Sequence, residues 1–122
     1  MITFDEFLKV DIRVGTIVDA KPFPQARKPA YQIWIDFGAD IGSRKSSAQI
    51  TKHYDPETLI GKQVAAVINF PAKQIGTFMS QCLILGFTDE QDDVILVAPD
   101  QKVPNGKRLI WEQINTVLLH FQ

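Results

Sequence analysis

In Tyr31-Gln32-Ile33-Trp34-Ile35-Asp36-Phe37 every odd position is apolar. Only an extended strand puts alternate residues on one face, so this stretch is read as a half-buried β-strand. The same period recurs. Val10, Ile12 and Val14 alternate with Asp11, Arg13 and Gly15, and Val64, Ala66, Ile68 and Phe70 alternate with Ala65, Val67 and Asn69. Leu83-Ile84-Leu85 and Val94-Ile95-Leu96-Val97 add two short runs rich in β-branched residues. Turn chemistry punctuates them: Pro22, Pro24 and Pro29, then Gly38 and Gly42, the polar tip Asp89–Asp93, and Pro104-Asn105-Gly106.

Two short helices fit between the strands. Thr3 followed by Glu6 is a capping box ahead of Phe7 and Leu8. Asp55-Pro56 opens a second helix that Gly61 ends. Several short strands with one helix between the third and fourth predict an all-β chain with short helices, a five-stranded Greek-key barrel with short terminal elements. With 122 residues the expectation is a single domain over 1–122. Ile110, Ile114, Val117, Leu118 and Phe121 fall at helical spacing, which predicts a short tail helix.

The formal net charge of -1 gives no bulk attraction to nucleic acid, so any such site must be a local patch. The charges are segregated. From Lys21 to Lys73 there are eight basic and four acidic residues, whereas every charge from Gln74 to Gln101 is acidic. The lone Cys82 excludes an internal disulfide and a multi-thiolate metal site. Asp5 and Glu6 stand where a secretory leader carries Lys or Arg, and no apolar run reaches the roughly 20 residues that cross a bilayer. The expectation is a cytoplasmic protein without membrane insertion.

No catalytic constellation is visible. His53 and His120 are far apart and belong to no HExxH spacing. Gly61-Lys62 and Gly106-Lys107 lack the earlier glycine of a phosphate loop, and Lys45-Ser46-Ser47 lacks a nucleophile elbow. Asp92-Asp93 reads as a hairpin tip rather than a cation site. The chain is expected to be non-enzymatic, with no cofactor and no metal.

Several ordered motifs resemble a known family. Asp5-Glu6-Phe7-Leu8-Lys9-Val10-Asp11-Ile12-Arg13-Val14-Gly15 resembles the opening of the tRNA-binding domain family, which includes appendices of methionyl-tRNA synthetases and the CsaA export chaperones. Ala26-Arg27-Lys28-Pro29-Ala30-Tyr31, Ile35-Asp36-Phe37-Gly38, Ser46-Ser47-Ala48-Gln49-Ile50-Thr51, Asn69-Phe70-Pro71-Ala72-Lys73-Gln74-Ile75-Gly76 and Val103-Pro104-Asn105-Gly106 are similar to the CsaA branch in particular. The resemblance runs from about Phe4 to Leu109. It implies an oligonucleotide-binding (OB) barrel, a homodimer, capture of unfolded or pre-secretory polypeptides in protein secretion, and tRNA binding. The alternatives are a structure-specific tRNA-binding protein and a synthetase accessory module. Two departures stand out. Cys82 replaces a glycine of the tRNA-binding members, as in the CsaA branch, and the 110–122 tail extends past the family's usual end.

By the resemblance, Ser46, Ser47, Asn69, Lys73 and Ser80 sit at tRNA-contacting positions. Arg44, Lys45, Lys52 and Lys73 suit phosphates, while hydroxyls and the Asn69 amide suit phosphate or 2′-OH oxygens. The competing reading is that Ser46, Ser47 and Asn69 satisfy strand ends and turns. Phe70, Pro71, Ile75, Phe78 and Met79 form an apolar run suited to a peptide groove, with Phe78 and Met79 expected to be exposed. Phe4, Phe7 and Leu8, with Val103, Pro104 and Asn105 near the other chain end, are the expected dimer contacts.

Overall fold

The computed structural model describes residues 1–110, so the predicted tail helix lies, beyond Ile110, outside the described residues. The elements are α1 (Phe4–Leu8), β1 (Ile12–Pro22), β2 (Tyr31–Asp36), β3 (Ser43–Ala48), α2 (Pro56–Leu59), β4 (Gln63–Val67), β5 (Lys73–Ile75), β6 (Phe78–Ser80), β7 (Leu83–Ile84), β8 (Gly86–Thr88) and β9 (Val94–Leu96). The capping box is present: Glu6 N donates to Thr3 Oγ1 at 3.2 Å, and Thr3 N donates to Glu6 Oε1 at 3.2 Å.

Strand β1 organises the barrel. Its first half pairs with β4, from Ile12 opposite Val67 to Thr16 opposite Gln63, and its second half pairs with β2, from Thr16 opposite Asp36 to Pro22 opposite Tyr31. A register shift between Ile17 and Asp19 bends the strand so that it serves both neighbours. The free edge of its first half is taken by the chain near the C-terminus: Gly106 N donates to Val14 O at 2.8 Å and Leu109 N to Ile12 O at 2.8 Å.

The five-stranded sheet runs β3-β2-β1-β4-β7, all antiparallel. It curls until β3 meets the end of β6 and the residue after it, where Gln81 N donates to Lys45 O at 2.7 Å and Ser47 N to Ser80 Oγ at 3.1 Å. The result is a nearly closed OB-fold barrel.

Three elements differ from the sequence expectation. β3 has no apolar alternation, and its sequence Ser-Arg-Lys-Ser-Ser-Ala gives no hydrophobic signal. β4 stops at Val67 instead of continuing to Phe70, because Asn69 turns away to bond Asp11 N and Lys9 O. The β5–β6 hairpin has too few residues per strand to show a period.

Ile17, Ile33, Ile35, Phe37, Val64 and Ala66 fill the barrel, and Leu59 of α2 plugs one end. A second, smaller cluster lies outside it: Phe23, Ala30 and Phe78 are buried there, with Ala26, Trp34 and Ile75 packed against them. Gly15 is where β1 passes closest to the core. A Cβ there would sit 2.5 Å from Ile35 Cγ2 and 2.9 Å from Asp36 O. Gly15→Ala is therefore expected to cost ~1–3 kcal/mol by overpacking, read as a lower Tm. A Tm equal to that of the parent would show that β1 can move away.

Candidate nucleic-acid interface

The pairing register decides which β3 residues can meet a ligand. Ile33 is opposite Ser46 and Ile35 opposite Arg44, so these residues lie on the core side. Trp34 is opposite Lys45 and Gln32 opposite Ser47, so these face outward. On β1, Asp19 is opposite Trp34 and Lys21 opposite Gln32. The outer face of β1–β2–β3 thus carries two cross-strand rows, Asp19–Trp34–Lys45 and Lys21–Gln32–Ser47.

One edge of that face opens into a cleft of about 670 Å³. One wall is the loop after β1, with Gln25, Ala26, Arg27, Lys28 and Ala30, and the other is the hairpin start, Lys73 to Gly76. Ser47 and Gln49 at the end of β3 complete the lining, which holds three cations and no carboxylate. The second apolar cluster ties the two walls together. Phe78 of the hairpin packs against Phe23 of the loop with ring centroids 5.4 Å apart and lies perpendicular to Trp34 at 6.0 Å. The cleft's shape thus depends on that cluster.

Two ammonium groups are held over rings on the same face. Lys21 Nζ lies 5.2 Å from the Trp34 centroid, and Lys45 Nζ lies 5.0 Å from the Phe78 centroid. With Arg27, Lys28 and Lys73 they make a basic surface in the position where OB barrels take oligonucleotides, strands two and three plus the flanking loops.

Residues 12–108 match the tRNA binding domain family. The chain belongs to that family. Among curated relatives, it is 38% identical over 109 residues to the methionine–tRNA ligase of Chlorobium phaeobacteroides, covering 89% of this chain and 15% of that protein. It is likewise 38% identical over 107 residues to the methionine–tRNA ligase of Methanococcoides burtonii, covering 87% and 15%. This chain spans only about 15% of such relatives. Among solved structures, chaperone CsaA of Bacillus anthracis is similar at TM-score 0.85 and 47% identity, covering 90% of this chain and 99% of that one. The CsaA chaperone protein of Picrophilus torridus follows at 0.84 and 47%, covering 90% and 100%.

In this tRNA binding domain only part of the sequence-derived contact set comes together. Lys73 and Ser47 line the cleft, Lys45 borders it on the outer face, and exposed Lys52 lines a neighbouring hollow with Lys28. Four residues do other work. Ser46 is 1% exposed on the core side and donates to Ser47 O. Arg44 Nη1 donates to Ile68 O at 2.7 Å. Asn69 uses its oxygen on Asp11 N at 2.9 Å and its NH₂ on Lys9 O at 2.6 Å. Ser80 accepts from Ser47 N and closes the barrel. For Ser46 and Asn69 the strand-end reading fits these contacts, and Arg44 and Ser80 act similarly. Sequence reasoning left out Arg27, Lys28, Gln25, Gln49 and Gln74, which their loop placement kept from view, and also Lys21 and Trp34. The run Ala26-Arg27-Lys28-Pro29 between proline turns was the available signal.

The apolar run divides. Phe78, expected to be exposed, is 6% exposed and belongs to the cluster behind the cleft. Ile75 is half-buried against that cluster, whereas Phe70, Pro71 and Met79 are exposed. Met79 stands opposite Gln74 on the hairpin. The β3 edge does not offer an open main-chain ladder between Lys45 and Ser47, because Ser80 and Gln81 occupy it.

The 106–109 segment lies beside the first half of β1 and meets α1 there. Arg108 Nη2 donates to Leu8 O at 2.7 Å, fastening α1 to the C-terminal segment. Phe4 is 65% exposed, Leu8 and Pro104 are exposed, and Phe7 is half-buried. Gln63 grips Val103 through both its N–H and its carbonyl, and Asn105 Oδ1 accepts from Thr16 Oγ1 at 2.8 Å. Asn105 is thus at least partly a structural residue.

Among the described residues, Cys82, His53 and Asp89 are engaged. Burial pushes the Cys82 thiol up to about 12, so it stays protonated and unreactive at neutral pH. His53, Asp89 and Asp93 bring metal-ligand atoms within 4.8 Å of one another, yet His53 Nε2 already lies 2.7 Å from Asp89 Oδ2. The Asp93 amide, with His53, holds the Asp89 carboxyl below its usual range.

Proposed function

We propose that this tRNA binding domain is a non-enzymatic, cytoplasmic, homodimeric binding protein that holds tRNA in the basic cleft. The observation that carries the reading is a concave surface lined by Arg27, Lys28 and Lys73 without a carboxylate, in a chain whose net charge is -1. Positive charge collected in one place against a slightly acidic whole is a local footprint for phosphates. Such contacts read backbone shape and position the RNA, and they carry little sequence information. The exposed apolar residues of α1 beside the C-terminal segment suit a two-fold interface, which Phe4, Leu8, Val103 and Pro104 would share.

A second reading is a holding chaperone for unfolded or pre-secretory polypeptides. It is favoured by the 47% identity to the two CsaA chaperones over 90% of this chain. Its local support is the exposed trio Phe70, Pro71 and Met79, since Met repacks easily against varied side chains. A synthetase accessory module is the third, on the strength of the ligase relatives.

A competition titration separates the first two. Fluorescent tRNA is bound to the 122-residue chain at low salt, and an unfolded, reduced polypeptide is added. The tRNA reading expects little displacement by an uncharged client and full displacement by unlabelled tRNA. Complete displacement by the client would mean one shared surface and favour the chaperone. Absence of tRNA binding at low salt would remove the leading reading. Light scattering of the protein alone should give twice the chain mass, and a monomer mass would contradict the dimer.

A further inference from the structure

Trp34 has a feature that core packing does not require. It points outward from β2, half-buried, while its neighbours Ile33 and Ile35 fill the barrel. Phe78 lies perpendicular to it at an interplanar angle of 89°, and Lys21 Nζ lies over the ring, 5.2 Å from its centroid. Lys21 is itself mobile in principle, being 60% exposed and 3.8 Å from Asp19 Oδ2 in a surface ion pair. Among the described residues no group accepts from the Trp34 indole N–H. The ring therefore packs on one side against the Phe78 cluster and carries the Lys21 ammonium over it, with an unused N–H donor. Lys21 and Lys45 flank it on the outer face of the sheet.

We propose that Trp34 is a stacking platform for one unpaired nucleobase of a single-stranded RNA segment, with Lys21 and Lys45 taking the flanking phosphates. The inference rests on the RNA reading above and deepens it. It assigns the cleft to the phosphate track and the sheet face to a base that is not paired. An exposed cation over a ring strengthens an interaction by roughly two- to five-fold. A base stacked on an aromatic side chain strengthens binding by roughly five- to 150-fold. A base thus displaces the Lys21 ammonium from the ring, and the freed ammonium is within reach of the adjoining phosphate. Stacking accepts every base, so the site selects unpaired over paired nucleotides and has little sequence preference.

The test uses the emission of Trp34 in the full chain. The protein has two tryptophans, so Trp111→Phe leaves Trp34 as the sole reporter. A short oligouridine and a blunt RNA duplex with the same number of phosphates are titrated in parallel, and binding is followed independently by anisotropy. The expected result is quenching by oligouridine and none by the duplex, although both bind. Trp34→Leu should weaken oligouridine binding at least about five-fold more than it weakens duplex binding, and Trp34→Phe should retain most of the affinity for both. Binding of oligouridine without quenching, or equal quenching by the duplex, overturns the platform and leaves the phosphate cleft standing. Quenching by an unfolded polypeptide but not by oligouridine overturns it in favour of a peptide contact. Failure of both RNAs to bind at low salt overturns the RNA reading and this inference together.

Discussion

Replacing Arg27, Lys28 and Lys73 together by glutamine lowers tRNA affinity about 10²- to 10³-fold at low salt. Each lysine or arginine on a phosphate releases condensed counterions, and the loss of three contacts compounds. All three side chains are exposed on loop or hairpin backbone, so the substitutions leave the core intact. Far-ultraviolet circular dichroism and Tm should match the parent. Arg44→Gln is the informative control, since its guanidinium bonds the Ile68 carbonyl. It is expected to lower stability by about 1–2 kcal/mol, with less effect on tRNA than any one cleft cation. An Arg44→Gln variant that binds tRNA as poorly as the triple variant would return Arg44 to the phosphate set.

The second large effect falls on Phe78→Ala. Phe78 is buried against Phe23 and Trp34, and it anchors the hairpin wall of the cleft. Truncating a buried Phe costs about 3–5 kcal/mol, by lost burial and a residual cavity. The loss should be about 3 kcal/mol here, because the cluster lies outside the main core and can relax. It should also weaken tRNA binding although no charge is removed, because Lys73 is then no longer held opposite Arg27 and Lys28. Denaturant unfolding and anisotropy read the two effects. Phe78→Leu, with most of the volume kept, should restore much of both. Met79→Ser, on the exposed side of the same strand, should change neither. Were Phe78 a direct polypeptide contact, its removal would spare stability and abolish client protection alone.

Fold class was readable because alternation in Tyr31–Phe37 has one physical cause: alternate side chains filling a barrel. The same rule hid β3. Its outward residues are polar, and its inward ones are Arg44, Ser46 and Ala48, of which only the small Ala48 is apolar and Arg44 bonds the Ile68 carbonyl. Without a hydrophobic pattern the strand has no period, and without the strand Arg44 and Lys45 cannot be assigned to opposite faces. That is why four of the sequence-derived contact residues turned out to serve the backbone. The cleft was hidden for a different reason. Arg27 and Lys28 precede Lys73 by more than 40 positions, and it is tertiary packing, Phe23 on Phe78 with Trp34 beside them, that brings their loops together. Phe78 looked exposed because it sits in an apolar run on a short turn-rich hairpin, and the cluster that buries it draws on three separate elements. The capped helices, by contrast, were legible since their signals are local: Thr3 with Glu6, and Asp55 with Pro56.

The central claim is that RNA is held by a fixed set of cations on one face. Its most direct test is the salt dependence of tRNA binding to the native protein, measured by anisotropy over a several-fold range of monovalent salt. Five contacts from Lys21, Arg27, Lys28, Lys45 and Lys73 predict a slope of log affinity on log salt of about −4, and the triple glutamine variant about −1.5. A native slope near zero, or a variant slope equal to the native one, would contradict the account.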